Sequence, residues 1–317
     1  MNLLKHIILD TDPGVDDALA FLLAFNNPSL KVEAITTVAG NVSHEKGNKN
    51  AKKLLEFIGA TNTPVCPGAT KPLIREMSHA EEFHGKTGLG NAVLPEPTLP
   101  SDPRNAINAI LQKSEELGQE LTLVAIGPLT NIASAILADP TLPEKVDKLV
   151  IMGGAYNLTP YGLGNANAVA EFNIWHDPEA AKIVFNSGIS VVAAGLDTTT
   201  HPDYRMSVEM FNEIEKKKDR KSRLVVDLCK SLVEKFNGFS LHDPQALAYV
   251  IDPGIFRTVD YQVDVETVGE LTRGMTVVER RYYRRVKDEA NTSIIVEADA
   301  EKFLNLVMDS LTVSKLD

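Results

Sequence analysis

Six short apolar runs, each rich in β-branched residues and followed by a helical pattern, constrain this chain more than anything else in it. They are HIIL (6–9), KVEAITTV (31–38), TPVC (63–66), LTLVAI (121–126), KLVIM (148–152) and SVVAA (190–194). The runs are apolar along their length rather than alternating, as parallel strands covered on both faces must be. Several helical segments open with one device. Asp102-Pro103, Asp177-Pro178 and Asp243-Pro244 each set a capping carboxylate before a proline at the first helical position. Strand, helix, strand repeated in this way predicts an α/β fold: an open, mostly parallel, doubly wound sheet with flanking helices. After residue 255 the character changes. YQVDVETVGELTRGMTVVERR (261–281) predicts a small antiparallel addition near the C-terminus, and TSIIVEA (292–298) a last strand before a closing helix. No linker, low-complexity tract or repeat interrupts the chain, so one domain over residues 1–317 is expected.

Composition serves mainly to exclude. A formal net charge of −11, with no basic block, argues against a nucleic-acid partner. The apolar stretches are too short to span a bilayer, so no membrane partner is expected. MNLLKH runs into a strand without the regions of a signal peptide. Two cysteines, Cys66 and Cys229, lack metal-ligand spacing and read as reduced thiols. A soluble, cytoplasmic protein is the expectation.

The chemistry concentrates in HIILDTDPGVDDALAFLLAF, which carries Asp10, Asp12, Asp16 and Asp17 where the first strand meets the first helix. Asp16 and Asp17 alone would be explained by the positive end of a helix dipole. Asp10 and Asp12 would not. The Pro13-Gly14 turn folds the two pairs toward one another, at the kind of strand end where open α/β sheets build sites. Like charges gathered there repel unless they bind a cation or take up protons. The local donors are hard oxygens, which suits Ca²⁺ or Mg²⁺ and disfavours Zn²⁺. Asp10 and Asp12 point the same way along an extended chain, one suited to ligation and the other to support. An Asp-x-Asp after an apolar strand also begins aspartyl-phosphate phosphatases. Gly14 and the lack of a downstream Gly-Asp metal motif weigh against that alternative.

DTDPGVDDA closely resembles the signature of the inosine-uridine nucleoside hydrolases, calcium enzymes that cleave the N-glycosidic bond of ribonucleosides. TTVAGNV, HGKTGLG, VAIGPLTNIA, IMGGAY, GNANAVAEFNIWHDPEAA and HDPQA follow in the family's order, so the resemblance covers nearly the whole chain. It implies calcium held by Asp12, Asp17, Asp243 and the backbone carbonyl of Ile126. It implies a ribose held by Asp16, Asn41, Asn165, Glu171 and Asn173, with Asp243 also touching the sugar. A set of amides and carboxylates supplies the donors and acceptors that hydroxyls need. Glu171 and Asn173, two apart, would share a side if the chain is extended there. Asp177, in the other His-Asp-Pro, is expected to be a helix cap only.

On this resemblance Asp12 is the general base toward water and His242 the acid toward the leaving base. An unperturbed histidine pKa of ~6.5 would let His242 carry a proton near neutrality. His84, in a loop resembling the family's mobile lid, and Met152 are expected to border the substrate. The base pocket is expected from residues 71–90 and the helix SRLVVDLCKSLVEKFNG (222–238), with Phe236 able to stack on a base. Trp175 adjoins the structural His-Asp-Pro, and the absence of an obvious pocket tryptophan favours a pyrimidine-preferring or broad inosine-uridine enzyme. The family's habit implies a homodimer or homotetramer. The competing class is a nucleoside- or ribose-binding protein without catalysis, which would need neither Asp12 as a base nor a histidine acid.

Overall fold

The computed structural model describes residues 4–281 and 290–312. The chain lays down β1 (Lys5–Thr11), α1 (Val15–Asn26), β2 (Leu30–Thr37), α2 (His44–Ile58) and β3 (Val65–Pro67) in succession. It returns through α3 (Glu81–His84) and α4 (Ala106–Leu117) to β4 (Leu121–Ala125) on the other side of β1. Then α5 (Thr130–Ala138), α6 (Leu142–Lys145), β5 (Lys148–Met152), α7 (Phe172–His176), α8 (Pro178–Phe185) and β6 (Val191–Ala194) extend the sheet. An excursion follows through α9 (Leu196–Thr199), β7 (Arg205–Met206), α10 (Val208–Lys217), α11 (Arg220–Phe236), β8 (Phe239–Ser240) and α12 (His242–Ile251). Finally come β9 (Phe256–Tyr261), β10 (Val263–Val265), β11 (Thr276–Val278), β12 (Thr292–Ala298) and α13 (Ala300–Thr312).

The central sheet has the order β3-β2-β1-β4-β5-β6-β12-β9. Its neighbours are parallel except β12 and β9. β10–β11 and β7–β8 are separate antiparallel pairs. The expected doubly wound sheet with its antiparallel addition is thus observed. Side chains on β1 show why the runs are continuously apolar: Ile7 and Leu9 enter one core and Ile8 the other, all fully buried. α1 is buried on every side from Val15 to Ala24, which accounts for its unpatterned ALAFLLAF. The chain leaves β1 toward β2 and later returns to β4, so the carboxyl end of β1 is the topological switch point.

Two of the three expected Asp-Pro caps are corrected. Asp177 does cap α8, accepting from the Ala180 N–H at 3.0 Å. The cap of α4, however, is Asn105, and Asp102 instead grips Arg104. Asp243 lies inside the first turn of α12, with Leu241 at the cap position. Proline fits anywhere in a first turn, where N–H groups lack intrahelical acceptors, so the dipeptide marks the turn and not the cap.

Candidate active site

The end of β1, the Pro13-Gly14 turn and the start of α1 bring the four aspartates together underground. Asp10, Asp12 and Asp17 are fully buried and Asp16 is nearly so. Asp10 is a support: its Oδ1 accepts from Thr36 Oγ1 at 2.6 Å and Asn131 Nδ2 at 2.7 Å, while its Oδ2 is buried with no partner among the described residues. Asp17 accepts from the Thr11 hydroxyl, from the Gly14 N–H at 2.8 Å and from Asn41 Nδ2 at 3.1 Å. Asp12 accepts from the Asn41 N–H at 2.7 Å through Oδ2. Two glycines make room for Asp12. A Cβ on Gly127 would stand 2.6 Å from its Oδ1, and one on Gly40 would collide with its Oδ2. Both glycines lie in the AGNV and IGPLTN stretches, where the sequence reading noted the neighbouring Asn41 and Ile126 but not the glycines.

Ligand oxygens of Asp16, Asp17 and Asp243 lie within 4.8 Å of one another. Asp12 is outside that trio, although its charge acts on Asp243. Asp12 Oδ1 and Asp16 Oδ1 are buried with no hydrogen-bond partner among the described residues. Burial pushes Asp16 up to about 6, and burial followed by the charge of Asp16 does the same for Asp17. Burial and neighbouring carboxylates hold Asp12 and Asp243 well above the ordinary range. Carboxylates this buried, with oxygens left unpaired, are matched by a hard cation, so the donor set fits a divalent metal.

A cavity of about 530 Å³ opens above this floor. The expected residues Asp16, Asn41, His84, Ile126, Met152, Asn165, Glu171, Asn173, His242 and Asp243 all line it, while Asp12 and Asp17 lie beneath. Glu171 and Asn173 converge for a reason other than extended geometry. Glu171 is the N-cap of α7, accepting from the N–H groups of Asn173 at 2.9 Å and Ile174 at 3.1 Å, and Asn173 is already helical. The Asn173 amide donates to the carbonyls of Ile126 and Met152, each at 3.1 Å, tying together the ends of β4 and β5. Asn165 Oδ1 accepts from the Phe172 N–H at 2.9 Å, anchoring its loop to the same helix.

The surroundings of the two cavity histidines disfavour the charged ring. His242 Nδ1 pairs with the Thr199 hydroxyl at 2.8 Å, and burial, followed by the charges of His84 and Arg205, brings it down to about 4. His84 Nδ1 accepts from the Val15 N–H at 3.1 Å and stands 3.8 Å from Asp16; burial brings it too to about 4. Both are neutral imidazoles near pH 7 in this state, because burial penalises the cation.

The far end of the cavity has a different make-up. Phe83 of α3 and Phe236 of α11 stack with centroids 6.2 Å apart and planes at 13°. Both stretches were expected there. Trp175 is a correction, since it does border the cavity, although Arg273 covers one of its faces at 4.7 Å. Arg205 and Thr200 also line the cavity and carry no sequence signal that would have singled them out. Asp177 does more than cap. Its other oxygen accepts from the Leu73 N–H at 2.8 Å and Thr130 Oγ1 at 2.7 Å, pinning the root of the 71–101 loop.

An open α/β sheet with buried carboxylates at its switch point, roofed by amides and two aromatic rings, builds an enzyme-type site for a small polar ligand. The chain belongs to the inosine-uridine preferring nucleoside hydrolase family, whose model matches residues 7–305. It is 42% identical over 314 residues to the pyrimidine-specific ribonucleoside hydrolase RihA of Enterobacter sp. (strain 638), covering 96% of this chain and 97% of that one. Its identity to the enzyme of the same name from Shigella flexneri is 41% over 313 residues, with the same coverage. Among solved structures, the purine-preferring ribonucleoside hydrolase from Gardnerella vaginalis superposes with a TM-score of 0.89 at 29% identity, covering 97% of this chain and 98% of the other. The protein is therefore a nucleoside hydrolase.

Proposed function

We propose that the chain hydrolyses pyrimidine ribonucleosides, uridine and cytidine foremost, to free base and ribose, with calcium in the acidic floor. The observation that carries the chemistry is the buried carboxylate cluster, with unpaired oxygens, directly under a nucleoside-sized cavity. Base preference rests on the relatives. Those named pyrimidine-specific are 41–42% identical over 96% of this chain, against 29% for one named purine-preferring. Absence of a pocket tryptophan no longer supports it, because Trp175 is at the wall.

Asp12, Asp17, Asp243 and the Ile126 carbonyl would hold calcium, which supplies the positive charge that acidifies and orients a water. Asp12, held by the Asn41 N–H and given room by two glycines, keeps Oδ1 free to accept a proton from the attacking water. Asp16 and Asn173 take ribose hydroxyls, and Glu171, Asn41 and Asn165 frame the sugar. The carboxylates also favour the positive charge that develops on the ribosyl ring as the glycosidic bond stretches. His242, neutral and oriented by Thr199, offers a hydrogen bond rather than a cationic acid. His84, Met152, Phe83 and Phe236 border the base.

The test is a release assay for reducing sugar on uridine, cytidine, inosine, adenosine and 2′-deoxyuridine, with and without chelation of calcium. Ribose should appear fastest from uridine and cytidine and stop on chelation. The deoxy analogue should be worse by ~10⁴-fold, because groups built to bond a hydroxyl are left unpaired. A larger kcat/KM for the purine nucleosides would refute the base preference, and full activity in verified calcium-free protein would refute the metal.

A further inference from the structure

Resting on the ribonucleoside reading above, we propose that Arg205 is a catalytic residue that receives the negative charge of the departing base at its oxo group. It is the sole lysine or arginine among the described residues that line the cavity. The strand pair β7–β8 sets Arg205 opposite Ser240, and Phe239, Ser240 and His242 line the same wall. Its Nη2 donates to the Phe236 carbonyl at 3.3 Å, tying the guanidinium to the aromatic slot. Its Nε–H is buried and has no acceptor among the described residues. A planar guanidinium held by one edge and unpaired at another is set to bond a planar, oxygen-bearing ligand.

The reaction has the matching polarity. As the C1′–N bond breaks, its electron pair goes to the base nitrogen and spreads by resonance to the oxo group. The oxygen of water bonds to C1′, its proton goes to the carboxylate floor, and solvent later protonates the base. Positive charge thus grows on the ribose while negative charge grows on the base. Asp16, Glu171 and Asp243 line the ribose end, and Arg205 serves the other. A fixed cation aimed at developing charge needs no reorganisation as the bond breaks, and no proton leaves it. His242, held by the Thr199 hydroxyl at 2.8 Å, lines the same wall and serves as a hydrogen-bond partner beside it. The substrate class follows: bases with an oxo group within reach of the glycosidic nitrogen, as in uracil and cytosine, gain most.

The experiment compares uridine with p-nitrophenyl β-ribofuranoside, whose phenolate leaves without help, on native enzyme, Arg205→Gln and Arg205→Lys. Arg205→Gln should lower kcat/KM for uridine by ~10²–10³-fold, the scale of losing one donor to a developing anion. It should change p-nitrophenyl riboside turnover by no more than about 3-fold, because that step makes no such demand. Arg205→Lys, which keeps the charge and stem, should recover about 10-fold of the uridine loss. Equal losses on both substrates in both variants, or an undiminished uridine rate in Arg205→Gln, would overturn the proposal. Native enzyme that cleaves neither substrate would overturn the ribonucleoside reading as well.

Discussion

The two ends of the cavity are built to different rules. At the floor, Asp12 and Asp17 are wholly buried, and their contacts come from backbone N–H groups, Thr11 and Asn41, at the ends of strands. At the far end Phe83 is 46% and Phe236 44% exposed, one on a four-residue helix and the other on the last turn of α11. On the proposed reading the floor takes ribose and water, common to every ribonucleoside, and can be fixed by the sheet. The far end then takes the base, which differs between substrates. Rigid strand ends hold charges to the tolerance that chemistry needs, whereas helix ends and loops tolerate change.

If that division is right, the largest effect lies in the floor. Asp17→Asn should abolish calcium binding and lower kcat/KM by ~10⁴-fold, as for other charged members of a catalytic unit. Asp16→Asn should lose turnover while keeping most of the calcium affinity, because its role is assigned to the sugar. Calcium titration and uridine kinetics on both variants separate the two. Equal loss of calcium binding would move Asp16 among the ligands, in keeping with its place in the trio within 4.8 Å.

Gly127→Ala probes the floor's rigidity without touching a charge. The new methyl would sit 2.6 Å from Asp12 Oδ1, with Val38 also close at 3.0 Å, so something must move. Overpacking of this kind costs about 1–3 kcal/mol of stability. Displacing the base by a fraction of an ångström to 1 Å should lower kcat by ~10²-fold with little change in KM. A kcat within twofold of native, with the fold confirmed by thermal melting, would show a floor more pliant than the geometry implies.

The same division explains what could be read in advance. Asp10, Asp12, Asp16 and Asp17 fall within eight residues, so their convergence is a matter of one turn and shows in the chain. The inner strands were legible too, because burial on both faces keeps them largely apolar, whereas the half-exposed, polar edge strand β9 was not read as a strand. Arg205 was not legible. Its neighbours Tyr204 and Met206 are buried packing residues, and only the pairing of β7 with β8 brings it beside His242. Trp175 was misplaced because α7, absent from an extended reading of AEFN, turns it toward the cavity. Nothing local in HDP reveals that the His242 ring pairs with Thr199, or that desolvation, followed by the charges of His84 and Arg205, disfavours its cation.

The smallest expected effect lies at the aromatic end. Phe83 and Phe236 are nearly parallel, 6.2 Å between centroids, with the Lys235 ammonium 5.4 and 5.0 Å from the two rings. The rings themselves carry no charge, so they contribute area and shape to the cavity wall. Such an aromatic contact is worth about 0.5–1.5 kcal/mol beyond its buried area. Phe236→Leu should therefore raise KM for uridine by roughly 2–10-fold and leave kcat within about twofold, because the contact is made alike in ground and transition states. Phe83→Leu should behave similarly. If the rings act as one unit, the double variant should lose less than the sum of the two single losses, since neighbours in contact are not additive. A fall in kcat of ~10²-fold in Phe236→Leu would break the division. It would mean that the Phe236 carbonyl, and through it the Arg205 guanidinium, depends on the ring for its position.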